Sequence, residues 1–227
     1  MPDALLPTRP DGSMWYGPEA LRIFRLSSKS HWDVPVTIGS QELHLLVSHP
    51  TPPAFDGPED RNGKRNHDEI RIWADYLTGG PRADYLRKAL PAGSSITPPE
   101  TFVILGDLNS DPHDGGSVAN AVGQLLRHPR VNPEPIPTSE GAAEASKLQG
   151  GRNAEHRGDP AQDTADFADS SVGNLRADYV LPSRNLVVLG SGVFWPRSDD
   201  PLARLVAMTP AVATSDHRLV YIDVRRP

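Results

Sequence analysis

Residues 101–112 read TFVILGDLNSDP. Thr101 to Leu105 are apolar or β-branched, the composition of a buried strand. Gly106 stops the run and Asp107 and Asn109 follow at once, so the strand ends by projecting a carboxylate and a carboxamide side by side. A turn that satisfies its own backbone uses the same residues. Chemistry gains over the turn because the pattern recurs along the chain.

LHLLVSHP ends in His49, RADYVL carries Asp178, and TSDHRLVYIDV carries Asp216 and His217. With Asp107 and Asn109, these strand-bounded pieces supply three carboxylates, one amide and two imidazoles. Strand ends of a packed sheet can converge on one cleft. This inventory suits phosphoester hydrolysis. Mg²⁺ takes hard oxygen ligands and keeps waters and substrate oxygens, and Mn²⁺ or Ca²⁺ can stand in its place. A His backed by a carboxylate exchanges a proton near neutral pH, and an amide can hold a nonbridging phosphate oxygen or a water.

The chain has 227 residues, 24 Pro, 19 Gly and no Cys. Turns and long ordered loops are favoured over a helical bundle. Disulfides, thiolate zinc sites and Cys nucleophiles are excluded. Mean hydropathy is -0.46, and no run approaches the length of a membrane-spanning helix. No signal-peptide pattern follows Met1, and compartment and oligomeric state are left open. A net charge of -6 with no Lys or Arg block disfavours duplex DNA as a partner.

Strands are predicted at Arg22–Leu26, Val34–Ile38, Glu42–Ser48, Thr101–Leu105, Ala177–Leu181, Leu186–Gly190 and Arg218–Val224. A helix is predicted over Arg65–Thr78, where Ile70, Trp73, Ala74 and Leu77 fall on one face. A second is predicted around Val118, Val122, Leu125 and Leu126. Residues 128–174 lack periodicity and read as a long loop or insertion. The alternation points to an α/β sandwich with no clean domain boundary.

GDLNSDP, RADYVLPS and TSDHRLVYIDV, in that order and with a strand-end His upstream, resemble the endonuclease/exonuclease/phosphatase superfamily. It includes pancreatic deoxyribonuclease, apurinic endonucleases, sphingomyelinases and inositol-phosphate phosphatases. The resemblance implies that Asp107 orients or deprotonates the attacking water and that Asn109 grips phosphate. It makes Asp216 a metal ligand and His217 a phosphate contact or base. Asp178 would hold the His217 imidazole in one tautomer, and His49 would lie near the leaving group. SHPTPPAFDGPEDRNGKRNHDEIRIWADYL resembles bacterial members in which Pro-rich and charged loop residues follow that His, so that Arg61, Arg65 and Asn66 reach an anionic substrate.

Other readings compete at each place. Asp178 can be an edge-strand charge, Ser215-Asp216 a cap, and His49 a backbone partner before Pro50. Arg61, Arg65, Asp68, Glu69 and Arg71 can form the solvated face of a helix. His31 reads as structural or substrate-facing. DTADFAD, with Asp163 and Asp166, resembles a calcium loop only loosely and reads as a solvated loop.

Members of the superfamily normally open with a strand carrying an Asn and later deliver a metal-binding Glu from a strand end. No Asn precedes Asn62, and Glu19 lies in SMWYGPEALRIF without an apolar strand before it. The expectation is therefore a single partial domain over 1–227, an incomplete deoxyribonuclease-like β-sandwich flanked by helices. Its expected function is metal-dependent phosphoester hydrolysis, impaired in this chain. The alternative is a non-catalytic remnant or a phosphate-ligand scaffold.

Overall fold

The computed structural model describes residues 1–90, 95–206 and 214–225. β1 (His31–Ile38) and β2 (Gln41–Ser48) form an antiparallel hairpin in which Ile38 faces Gln41. Gly39, at φ +66, occupies the first central position of its two-residue turn, where glycine is preferred. A long helix, α2 (Arg61–Thr78), then carries the chain across to β3 (Phe102–Asp107), which runs parallel to β2. After two short strands that pair antiparallel, β4 (Ala165–Asp166) and β5 (Asn174–Leu175), β6 (Asp178–Pro182) closes the sheet antiparallel to β3, giving the order β1-β2-β3-β6.

One face of this sheet makes the main core. Leu46, Ile104 and Leu181 stand in register across three strands and, with Phe102 and Tyr179, pack against Ile70, Trp73 and Leu77 of α2. The Trp73 indole N–H donates to Ser48 Oγ at 2.9 Å, so the helix is fixed to the end of β2. On the opposite face the strand alternation continues, but at β1 it meets solvent: Trp32, Val34 and Ile38 are 61, 40 and 62% exposed.

A separate ribbon pairs β7 (Val187–Phe194) with β8 (Leu219–Arg225). Its inner side packs Val193 and Val220 with Trp195 and Ala142, while Leu189, Leu219 and Tyr221 are exposed. The chain is thus a mixed α/β structure of sheets and helices.

Three expectations change. Arg22–Leu26 is not a strand: a short helix, α1 (Pro18–Ile23), opens with Pro18 and buries no residue. Pro at the first helical position is preorganised for that start. The helix around Val118 shortens to a 3₁₀ turn at Val118–Asn120 and one α turn, α3 (Gly123–Leu126), because Ala119 and Asn120 take positive φ. Val122 and Leu125 are nevertheless fully buried. Within residues 128–174 lies α4 (Glu140–Gln149), started by Ser139, whose hydroxyl accepts from Gly141 N at 3.0 Å. Its buried contact is Ala142, too small to register as an amphipathic pattern.

Candidate active site

The antiparallel register of β3 and β6 places Asp107 directly opposite Asp178. Two carboxylates therefore share one end of the sheet. Gly106 permits this: it sits at φ +142, and a Cβ there would lie 2.0 Å from the Ser48 carbonyl oxygen. Only a residue without a side chain lets β2 approach so closely.

His217 arrives from the turn before β8. Its Nδ1 lies 2.8 Å from Asp178 Oδ2 and its Nε2 3.9 Å from Asp107 Oδ2. An ionised carboxylate only accepts, so the Asp178 contact places the proton on Nδ1 and leaves Nε2 towards Asp107. From the end of β2, the half-exposed His49 sets Nε2 3.2 Å from the same Asp107 oxygen. Ligand atoms of Asp107, Asp178 and His217 all fall within 4.8 Å of one another. Burial first, and then the negative charge of Asp178, push the Asp107 carboxyl above its ordinary range. The hydrogen bond that His217 donates to Asp178 holds its imidazole above the ordinary range, with the charges of Asp178 and Asp107 adding to it.

Asn109, at φ +50, folds back on this pair. Its backbone N–H donates to Asp107 Oδ1 at 2.8 Å, and its amide donates to Asp107 Oδ2 at 2.9 Å and to the Pro50 carbonyl at 3.1 Å. The turn and the site are one object here, since the bonds that close the turn also fix the carboxylate.

A model of the Endonuclease/Exonuclease/phosphatase family matches residues 11–217. The chain belongs to that family. Among solved structures, it is similar to an endonuclease/exonuclease/phosphatase from Beutenbergia cavernae DSM 12333, with 18% identity and a TM-score of 0.42 over 86% of this chain and 38% of that one. An endonuclease/exonuclease/phosphatase family protein from Leptotrichia buccalis C-1013-b has 14% identity and a TM-score of 0.37, over 85% of this chain and 52% of its own. Sphingomyelinase C from Streptomyces griseocarneus has 15% identity and a TM-score of 0.32, over 84% and 52%. The chain thus spans between about two-fifths and one-half of these structures' length. No curated protein matches it.

Of the residues singled out in this family member's sequence, the structure brings together His49, Asp107, Asn109, Asp178 and His217. Asp216 is exposed and lies outside the three-residue cluster. Asp216 lies in the bend before β8, where its backbone carbonyl accepts from Asp166 N, while His217 bridges to Ala165 and turns its ring to Asp178.

Arg61, Arg65 and Asn66 do not form a substrate-facing mouth. Arg61 pairs with Glu59, and Arg65 donates to the carbonyls of Arg25 and Leu26 while lying 4.5 Å over the Phe24 ring. Both arginines line a cavity of about 1270 Å³ beneath the N-terminal segment, and His49, Asp107, Asp178 and His217 are not among its lining residues. Asn66 is fully buried and donates to the carbonyls of Thr51 at 2.8 Å and Leu108 at 2.9 Å, tying the β2 exit to the β3 exit.

Nor is the polar side of α2 a solvated face. Glu69 is fully buried, accepting from Ser28 Oγ at 2.7 Å and Thr51 N at 2.6 Å, and Asp68 is also buried. His31 joins this structural set through Ser27 Oγ and the Glu69 carbonyl, each at 2.9 Å. DTADFAD is not a solvated loop: Asp163, Thr164 and Ala165 are buried, and Ala165 bridges to His217. No local pattern in the sequence marks Thr164 or Phe167 as neighbours of the site.

Proposed function

We propose that this chain hydrolyses phosphoesters by in-line attack of water at the Asp107–Asp178–His217 cluster, with a divalent cation bound there. The observation that carries this reading is the convergence of two carboxylates and an imidazole within 4.8 Å, with a second imidazole 3.2 Å from Asp107. The donor set fits such an ion: two hard carboxylates can hold it through oxygen, there is no thiolate, and the His217 imidazole is left to face the phosphate. When bound, the ion would neutralise phosphate charge and lower the pKa of a coordinated water.

The protein's own groups divide the proton work. Asp107, with its raised proton affinity, orients the water and takes its proton as oxygen bonds to phosphorus. His49 Nε2 stands within reach of that oxygen, so the proton can pass on to the leaving-group oxygen as the scissile P–O bond breaks. Asp178 keeps Nδ1 of His217 protonated and its Nε2 aimed inward, where the imidazolium donates to a nonbridging phosphate oxygen. Asn109 can offer its amide to phosphate only by releasing Pro50 or Asp107.

The test is turnover of bis-p-nitrophenyl phosphate with Mg²⁺, Mn²⁺ or Ca²⁺ and with EDTA, for the wild type, Asp107→Asn and His217→Gln. Cation-dependent turnover that falls at least about a hundredfold in both variants is expected. A folded protein that binds phosphate without turnover would replace this reading with that of a phosphate-ligand scaffold. The acidic net charge of -6 favours small or single phosphoesters over duplex DNA as substrates.

A further inference from the structure

We propose that Thr164 is a positioning residue for the Asp178–His217 pair, held in place by the stretch that follows it. This inference rests on the catalytic reading of that pair, and its geometry stands independently of turnover. Thr164 is 1% exposed. Its hydroxyl oxygen accepts from Ala177 N at 3.0 Å and Asp178 N at 2.9 Å, and its proton goes to Asp178 Oδ2 at 2.9 Å. A hydroxyl has one proton and two lone pairs. Two backbone amides occupy both lone pairs, so the proton has one direction left, and it ends on the oxygen that also receives His217 Nδ1. The Asp178 carboxylate is thereby fixed in rotation by a donor that cannot turn away.

The same stretch frames the imidazole. Thr164 O accepts from Arg218 N at 2.8 Å, and Asp166 N donates to Asp216 O at 2.7 Å, so residues 164–166 run along the backbone that carries His217. The buried Arg218 locks them from the side, with its guanidinium 2.8 Å from Asp166 Oδ2 and 4.4 Å over the Trp195 ring. Phe167 sets its ring edge-on to His217 with centroids 5.4 Å apart. Carboxylate, imidazole and the strand between them are therefore registered by four consecutive residues.

Thr164→Val removes the hydroxyl at nearly constant volume and Thr164→Ser keeps it. Thr164→Ala serves if the Val methyl pressed against the two amides prevents folding. Two readouts separate positioning from mere structure. The first is ¹⁵N–¹H NMR of the His217 ring: the wild type and Thr164→Ser should show the Nδ1–H tautomer with a slowly exchanging ring proton, and Thr164→Val or Thr164→Ala should show tautomer mixing and fast exchange. The second is the split of kinetic constants on bis-p-nitrophenyl phosphate, with kcat falling about tenfold to a hundredfold, KM unchanged, and recovery in Thr164→Ser. If the wild type has no turnover, the catalytic reading fails while the ring spectrum still decides this one. An unchanged His217 tautomer and exchange rate in a folded hydroxyl-free variant would overturn it.

Discussion

Replacing Asp163 by Asn should stabilise the protein, and increasingly so as pH rises. Asp163 is 7% exposed. Its charged surroundings are Asp111, Asp114 and Asp159. Asp111, itself buried, is already committed to the amides of His113, Asp114 and Arg176. Burial first, and then these three like charges, push the Asp163 carboxyl from 3.8 up to about 8. A raised carboxyl favours the folded state fully only below its unfolded pKa. Between pH 3.8 and about 8 the unfolded chain gives up this proton and the folded chain keeps it, so stability is lost across that window. At about 1.4 kcal/mol per pH unit, the loss reaches roughly 4 kcal/mol by pH 7. Asn carries the neutral form permanently and escapes it. For a chain of this size, with about 2–4 °C per kcal/mol, Asp163→Asn should melt roughly 8–16 °C higher at pH 7 and nearly level with the wild type at pH 4. Thermal melts in EDTA, which keeps cations away from the carboxylates, measure the difference. A gap that is the same at both pH values, or a less stable Asn variant at pH 7, would refute the linkage.

Two further outcomes follow from packing. Gly106→Ala should cost roughly 2–4 kcal/mol, because its Cβ meets the Ser48 carbonyl oxygen at 2.0 Å in a backbone conformation that side chains avoid; urea unfolding should show a lower midpoint at constant slope. Trp32→Lys and Ile38→Lys should each lower the binding of an apolar dye such as anilinonaphthalene sulfonate while changing stability by less than about 0.5 kcal/mol, since both side chains are over half exposed; unchanged dye binding would place the apolar surface elsewhere.

The strand ends were legible because each couples a β-branched run to turn residues, and the turn residues are the site. GDLN, RADY and SDH thus announced element boundaries and side chains together. Register then did what spacing along the chain cannot, setting Asp107 opposite Asp178. Thr164 was not legible: its partners lie 13, 14 and 54 positions away, and nothing local distinguishes it from other threonines. Asn66, Arg65 and Glu69 were misread for a related reason. Whether the polar side of a helix meets water depends on what lies over it, and here residues 25–28 lie over Arg65 and Glu69 while the exits of β2 and β3 lie over Asn66. Asp216 was placed by resemblance, and it lies exposed in the bend before β8. α4 escaped because its buried residues, Gly141, Ala142 and Ser146, are all small.

The divided carboxylate of Glu69 makes the N-terminal stretch part of the foundation under His49. One oxygen serves Ser28 and the other Thr51, two residues past His49. Cutting the chain ahead of β1 would leave this buried carboxylate without two of its three donors, the amide and hydroxyl of Ser28, and a group so stripped draws in water or swings away. Either response pulls on Thr51, and through Pro50 on the carbonyl that tethers Asn109. Tags, linkers and trimming sites placed near residue 28 are therefore interventions in the floor of the candidate site, whatever their distance from it along the chain.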